Sequence, residues 1–323
     1  MGNLIVSILG TKGYADKLGK KGTSTDITLY NLKKGEDTVT FLEPSRYPER
    51  LAPLFYSTTL AKKAIVVVDE LDSFFGETLV MLQCCGIEKG SFILRKYIKP
   101  EKIMPLIKET ILENYDFIDD EPSKIREQML KEATQEENNE ISNEKETTGS
   151  VPIDHAFKVK GVGSVALGIV ADGNIKKHDT LRALPNTNST QIRSIQKHDD
   201  EYNMAQKGDR VGLALKNIET KNLDRGTVLT NDPMIKLSKS FKTQAEIIRY
   251  WQAPLKSEMI VHVGHWMQFL PARIESIVDN ENWRTPILNL KLEKELVHHS
   301  GDSAVLTHLE GGKLRVVGTI NLP

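Results

Sequence analysis

The chain changes texture near residue 150, and that change most constrains its fold. Before it, apolar strand-like runs at Leu4–Leu9, Thr38–Leu42, Ala64–Asp69 and Ser91–Arg95 alternate with helical spacing at Glu77–Cys85 and Glu101–Glu113. The run Ala64-Ile-Val-Val-Val-Asp69 lacks polar alternation, as in a parallel strand buried on both faces. In the second helical stretch Ile103, Leu106, Ile107 and Ile111 share one face. Strands alternating with helices predict a doubly wound α/β domain over residues 1–118. After Ser150, strand-like runs punctuated by Gly, Pro, Asn and Asp recur from Ala156 to Leu229 and again from Leu237 to Ile320, with hardly any helical pattern. That spacing predicts two antiparallel β-barrels, over 151–233 and 234–323. Residues 119–150 are nearly free of large apolar side chains and predict an acidic flexible linker, of which Ser123–Thr134 could form a solvated helix.

Charge follows the same divisions. The net charge of −1 combines 16 Lys/Arg against 15 Asp/Glu in residues 1–118, 4 against 10 in 119–150, and 23 against 19 in 151–323. The acidity belongs to the linker and the barrels are mildly basic, which permits a nucleic-acid partner without requiring one. No apolar run reaches the roughly 18–20 residues of a membrane span, and the first strand is too short for a signal peptide. A cytoplasmic protein with no membrane partner is expected. Cys84 and Cys85 are adjacent, a poor geometry for a disulfide and too few thiols for a structural zinc site, so they read as reduced small hydrophobes. His262-x-x-His265 and His298-His299 lie in strand-like segments without a carboxylate or thiol at ligand spacing, so packing is expected and no metal.

The first strand runs into Gly10-Thr-Lys-Gly13-Tyr-Ala-Asp16-Lys17, where a phosphate-binding loop belongs. A working G-x-x-x-x-G-K-[ST] loop cradles phosphates on backbone N–H groups, reaches the terminal phosphate with Lys, and holds Mg²⁺ with a hydroxyl. Counted from Gly10, Ala15 replaces the second Gly, Asp16 the Lys, and Lys17 the hydroxyl residue. Counted from Gly13, one residue too many precedes Gly19-Lys20, and Lys21 follows. Neither register satisfies the motif. Lys12, Lys17, Lys20 and Lys21 crowd this loop, either to grip phosphates or as a solvated basic loop.

The segment Val159-Lys-Gly-Val-Gly-Ser-Val-Ala-Leu-Gly168, followed by Ile192-Arg-Ser-Ile-Gln-Lys-His198, Gly208-Asp-Arg-Val-Gly-Leu-Ala-Leu-Lys-Asn-Ile218 and Leu223-Asp-Arg-Gly226, resembles the second domain of EF-Tu-type elongation factors. Residues 235–323 are similar to the third domain through Ala272-Arg-Ile274, Gly301-Asp302 and Arg315-Val-Val-Gly318. Leu18-Gly-Lys-Lys-Gly-Thr-Ser-Thr-Asp-Ile-Thr-Leu-Tyr-Asn31 resembles archaeal SelB-like factors, including the EF-Pyl type, between the phosphate loop and the first switch. The resemblance covers nearly the whole chain outside 119–150. It implies a P-loop-NTPase-like α/β domain followed by two β-barrels.

The departures cluster where GTP would bind. The D-x-x-G sensor of the γ-phosphate is replaced by Glu43-Pro-Ser-Arg46, and the catalytic His after it by Tyr47. The guanine-reading N-K-x-D corresponds best to Arg95-Lys-Tyr-Ile98, which has no carboxylate. Gly10, Lys17, Thr23 and Thr25 are what remains for a nucleotide, either threonine serving the Mg²⁺ of the first switch. A pseudo-GTPase needing no cofactor is therefore expected, binding tRNA or a ribosomal site through its barrels. Candidate RNA contacts are Lys158, Lys160, Arg193, Arg210 and Arg225 in the second domain, and Arg249, Trp251, Arg284 and Lys291 in the third. Arg249-Tyr250-Trp251 would be a stacking platform, or else one face of a packed barrel. Two other readings stay open. One is an active GTP- and Mg²⁺-dependent factor delivering an unusual aminoacyl-tRNA. The other is a protein-interaction module that docks through residues 119–150. The chain's end at Pro323, directly after the second barrel, speaks against dedicated selenocysteine delivery, since SelB-type factors carry a further domain there.

Overall fold

The structure, a computed structural model, describes residues 2–140, 148–186, 188–278 and 282–323. In the first domain β1 (Asn3–Gly10), β2 (Lys20–Ser24), β3 (Ile27–Lys34), β4 (Asp37–Pro44), β5 (Lys63–Val68), β6 (Lys89–Leu94) and β7 (Asp116–Phe117) form one sheet. Its order is β2-β3-β4-β1-β5-β6-β7, with β1 lying parallel to both β4 and β5. Strand alternation divides the apolar side chains between two layers. Ile5, Leu9, Val66 and Val68 face α1 (Ala52–Thr58), α2 (Ser73–Cys84) and α3 (Pro100–Ile107). Leu4, Val6, Ile8 and Val67 face α4 (Pro122–Glu140).

The acidic segment therefore differs from a flexible linker over residues 122–140. Ile125, Met129 and Ala133, spaced i, i+4, i+8, are buried against the sheet. Lys63 Nζ, itself nearly buried, meets Glu132 at 2.7 Å and ties the helix to β5. Three apolar side chains on one stripe suffice where average composition is polar. Residues 141–147 of the expected linker lie outside the described residues, and its last positions, Gly149 and Ser150, begin a strand of the second domain. The stretch 18–31, which resembles the segment leading into the first switch, forms an antiparallel hairpin of β2 and β3 with Lys20 opposite Asn31. Cys84 is buried and Cys85 half-buried, and both are free thiols. Burial pushes the Cys84 thiol up to about 12.

Both expected barrels are present. In the second domain β8 (Gly149–Val159), β9 (Gly163–Ile169), β10 (Asp172–Lys176), β11 (Thr180–Leu184), β12 (Asn188–Lys197), β13 (Asp200–Tyr202), β14 (Met204–Gln206), β15 (Arg210–Lys216) and β16 (Val228–Thr230) form one sheet. It closes through β8-β16-β11-β12-β15-β9 back to β8. In the third domain β17 (Lys236–Ile247), β18 (Ile260–His265), β19 (Gln268–Val278), β20 (Ile287–His298), β21 (Ser303–Thr307) and β22 (Val316–Asn321) close in the order β17-β20-β19-β18-β21-β22. Each barrel has its own apolar interior. Closure pairs every strand of the six-membered rings on both sides, while β10, β13 and β14 extend the second domain's sheet beyond its ring.

Charged clamps hold the first domain against both barrels. Glu77 on α2 is 1% exposed and receives Arg315 of the third domain three times: the backbone N–H at 2.7 Å, Nε at 3.0 Å and Nη2 at 2.6 Å. Tyr47 joins this clamp, its hydroxyl donating to Phe74 O at 2.9 Å and Glu77 Oε2 at 3.1 Å. Beside it Phe55 packs on Phe269, ring centroids 5.6 Å apart. A Cβ at Gly264 would stand 2.7 Å from the Phe55 ring, so only glycine permits that approach. Removing one partner of a buried pair leaves the other charge uncompensated. Arg315→Ala is expected to cost roughly 3 kcal/mol, read as a lowered urea midpoint; a midpoint within error of the parent would show the clamp to be energetically idle.

Candidate functional site

The glycine loop begins where β1 ends. Gly10 has φ +90°, and a Cβ there would lie 2.0 Å from Val67 O, so the chain leaves the sheet at a point open only to glycine. The α-helix that normally follows a phosphate loop is reduced to one 3₁₀ turn, Ala15–Lys17. The sequence explains this locally, because Gly19 and Gly22 flank Lys20-Lys21 and the chain turns directly into β2. The loop's inward N–H groups are already occupied: Gly13 N donates to Glu43 Oε1 at 2.5 Å and Ala15 N to Glu43 Oε2 at 3.0 Å. Glu43, the residue that stands in the D-x-x-G position, is 4% exposed. The hydroxyl of Thr11 donates to Asp69.

Next to this loop, Tyr14 is 1% exposed and its hydroxyl donates to Asp120 at 2.8 Å. Arg95 donates to the same carboxylate through Nε at 2.8 Å and Nη2 at 2.6 Å, and its guanidinium lies 5.0 Å from the Tyr14 ring centroid. Arg95, in the segment aligned with the guanine-reading motif, is thus spent on an internal ion pair. Burial opposes ionisation of Asp120, but the Tyr14 hydroxyl and the Arg95 guanidinium together hold its carboxyl below the usual range. Burial, followed by the bond to Asp120, raises the Tyr14 phenol.

The nucleotide candidates are scattered over different tasks. Lys17 is exposed, with Nζ 5.5 Å from the Tyr14 ring centroid, and Thr23 is half-buried on β2. Thr25 accepts a hydrogen bond from Arg225 Nη2 at 2.9 Å, and Asp26 pairs with Arg225 Nη1 at 2.5 Å. Arg225 also donates to Asp154 O at 3.2 Å and lies 4.7 Å from the Tyr56 ring centroid. It bolts the second domain to the first and does not project from the barrel as an RNA contact.

Other expected RNA contacts are likewise internal. Arg210 forms a buried pair with Asp154, because an arginine at that depth needs a carboxylate beside it. Arg249 reaches Glu109 at 3.2 Å and Lys108 O at 2.8 Å, closing the third domain onto the end of α3. Arg284 Nη1 donates to Ile248 O at 2.7 Å and Trp251 O at 3.2 Å. Trp251 is half-buried, set edge-on to His308 with centroids 6.2 Å apart, so it packs in the barrel and offers no stacking face. Lys291 is exposed and lies 3.5 Å from Glu275. Lys158 and Lys160 are exposed near the end of β8.

Arg193 is the candidate that meets the loop's lysines. A groove of about 1290 Å³ separates the β2–β3 hairpin from the second domain. Lys17, Lys20 and Lys21 line it on one side, Arg193 and Lys177 on the other, and Arg126 of α4 at one end. Phe157, Val159, Val162, Val165 and Leu167 supply an apolar strip, with Phe157 and Val162 both exposed. Sequence reasoning missed Arg126, Lys177 and this strip. Alternation of Phe157, Val159 and Val165, Leu167 on one barrel face was the available signal.

The histidines pack. His262 stacks on Phe269 at 5.1 Å, and burial lowers the pKa values of His262 and His298. Among the described residues one group has metal-ligand chemistry: Asp172, Asp232 and His299, whose donor atoms all lie within 4.8 Å of one another. His299 Nε2 lies 2.7 Å from Asp232 and Lys207 lies 3.3 Å from Asp172, so hydrogen bonds across the junction of the two barrels account for the cluster. No helix among the described residues is long and apolar enough to cross a membrane.

A model of elongation factor Tu domain 2 matches residues 163–230. An uncharacterized protein of Methanocaldococcus jannaschii, MJ0325, is 35% identical over 322 residues, covering 98% of this chain and 99% of its own length. The selenocysteine-specific elongation factor of that organism is 34% identical over 178 residues, 50% of this chain but 37% of that protein. Elongation factor 1-alpha of Cenarchaeum symbiosum is 36% identical over 103 residues, 31% of this chain and 23% of that protein. Elongation factor SelB of Methanococcus maripaludis, solved with the GTP analogue GppNHp, superposes with a TM-score of 0.82 at 22% identity, covering 100% of this chain and 79% of that one. Its apo form gives 0.79 at 23% identity, covering 99% and 79%. These superpositions show a shared three-domain fold.

The lowered Asp120 and Asp26 carboxyls have a direct consequence. A carboxyl held below its unfolded value contributes stability that is fully present above about pH 4 and is lost as pH falls through the lowered value. Arg95→Leu removes the guanidinium from Asp120, so the fall in urea midpoint between pH 5 and pH 2 should become shallower than in the parent. An unchanged acid limb would show that Arg95 does not hold the carboxyl down.

Proposed function

Because the chain belongs to one family with MJ0325 and is a SelB/EF-Tu-like protein in fold, we propose that it binds tRNA or ribosomal RNA through the interdomain groove without using GTP as a switch. The observation that carries this reading is the groove itself. Lys17, Lys20, Lys21, Arg126, Lys177 and Arg193 converge on it and outnumber its acidic Asp16, Asp199 and Glu201, and an apolar strip runs along its barrel side.

Each part of the groove has a chemical counterpart in a nucleic-acid strand. Lys17, Lys20, Lys21 and Arg193 would neutralise backbone phosphates and release their counterions, the largest source of RNA affinity. Phe157 and Val162 offer apolar surface to an unstacked base or an apolar group on a strand end. The absence of a GTP switch is supported by the occupied loop amides, by the Arg95–Asp120 pair in the base-reading segment, and by Tyr47, whose hydroxyl is bound into the clamp with the third domain. A factor of this kind would hold RNA continuously, with no hydrolysis step to time release. The names of the relatives point the same way: selenocysteine-specific elongation factor and elongation factor 1-alpha.

Filter binding of unfractionated tRNA at 50 and 200 mM salt tests the RNA half. A micromolar complex that weakens with salt is expected. Lys20→Ala/Lys21→Ala should flatten the slope of log K against log salt by about 1.4, since each single-strand phosphate contributes roughly 0.7. No salt-sensitive complex at micromolar protein would overturn RNA binding. Calorimetry with GTP or GDP and Mg²⁺ tests the other half: no saturable heat is expected, and a clear isotherm would establish an active GTP-dependent factor instead.

A further inference from the structure

We infer that the loop over residues 10–15 is an anion cradle whose resident is the Glu43 carboxylate, an internal stand-in for a phosphoryl group. The inference rests on the reading of the first domain as one that works without nucleotide.

Three observations meet at this point. The first is the site of contact. Glu43 is the penultimate residue of β4, inside its buried run, and β4 lies parallel to β1, so the two strands deliver Glu43 and the glycine loop to the same edge of the sheet. In open α/β sheets that carboxyl-terminal edge is where ligands bind. The second is the pattern of donors. Each carboxylate oxygen takes one backbone N–H, from Gly13 at 2.5 Å and from Ala15 at 3.0 Å. Inward backbone amides of a glycine loop are likewise the donors that hold phosphate oxygens in a working loop, here from the two residues on either side of Tyr14. The third is chain length. The resemblance puts an aspartate at this position, and glutamate extends a carboxylate further by about one C–C bond, roughly 1.5 Å. That extra reach brings the charge onto the loop amides.

The contact answers a physical need. No helix follows the loop to organise it, and two inward N–H groups without an acceptor would each lose a hydrogen bond's worth of stability. Glu43 supplies the acceptor in cis, so the loop keeps a ligand-holding shape with no ligand present. Charge and volume both exclude a free phosphate while Glu43 is seated. The loop leads through buried Tyr14 and Leu18 into β2, so Glu43 also positions Lys17, Lys20 and Lys21 along the groove. It is a positioning residue for the basic rim, and the cradle beneath it would accept a phosphate or another tetrahedral oxyanion once it is removed.

Chemical rescue tests this. Glu43→Ala is expected to melt lower than the parent. Adding 10 mM inorganic phosphate, against chloride of equal ionic strength, should raise the Tm of Glu43→Ala by about 2–4 °C and leave the parent's Tm unmoved. Glu43→Gln keeps the volume and one oxygen acceptor, so a smaller phosphate response is expected from it. An amide-resolved NMR titration of the parent covers the case in which neither variant folds. There the Gly13 and Ala15 amides should stay protected and unshifted up to 10 mM phosphate. Saturable shifts at those two amides in the parent, or folded Glu43→Ala that ignores phosphate, would overturn the inference. The second of these results would leave the nucleotide-free reading standing, whereas a GTP isotherm with the parent protein would remove that reading as well.

Discussion

The buried carboxylate of Glu77 sets the terms for the whole molecule. A charge at 1% exposure in the first domain is tenable only with donors around it, and the strongest come from Arg315, 238 residues further along the chain. The third domain cannot swing away without giving up all three of those hydrogen bonds. Tyr47 is drawn into the same contact, and the Phe55–Phe269 packing beside it buries apolar surface that a hinge would expose. Arg225 repeats the logic toward the second domain, with Thr25, Asp26, Asp154 O and the Tyr56 ring all gathered on one guanidinium. The groove between the β2–β3 hairpin and the second domain owes its width to these clamps.

The barrels were legible because strand length and turn punctuation are local properties. Gly161, Gly163, Gly173 and Gly208 all take positive φ, so each marks a place where the chain reverses or bends, and such marks survive in the sequence alone. The helix at 122–140 was harder to read. Ile125, Met129 and Ala133, with Leu130 partly buried beside them, carry its packing, and a long run of polar neighbours dilutes them in any average. The β2–β3 hairpin was hidden by analogy: its residues match a stretch that relatives place between the phosphate loop and the first switch, yet Gly19 packs against the Asn31 backbone and forces strand pairing.

The candidate site divides along a different line. Lysines on the loop and Arg193 on the barrel face the groove as their sequence context suggests. Arg225, Arg249 and Arg284 do not, and Arg210 lines the groove only with its charge already paired to Asp154, because sequence reveals a cation and not its partner. Asp154, Asp26, Glu109 and the carbonyls of Ile248 and Trp251 are distant along the chain from the arginines they satisfy. Arginine's planar fork suits such multi-acceptor positions better than lysine's point charge, so a basic barrel rich in arginine is as compatible with internal bracing as with RNA.

A conformational switch requires two arrangements of comparable free energy and a ligand that prefers one. Opening the Arg315–Glu77 clamp would give up its three hydrogen bonds and re-expose the apolar surface packed beside it, before the Arg225 contacts are counted. A nucleotide would have to offset that loss through differential affinity, and it would have to do so from a loop whose inward amides already hold Glu43. The replacements at the D-x-x-G segment are therefore not independent losses on the proposed reading. Glu43 turns inward to quiet the loop while Tyr47, four residues later, turns outward to fasten the third domain. One short segment that in a switching relative would report on the nucleotide is here divided between two static contacts, and both favour the same closed arrangement around the groove.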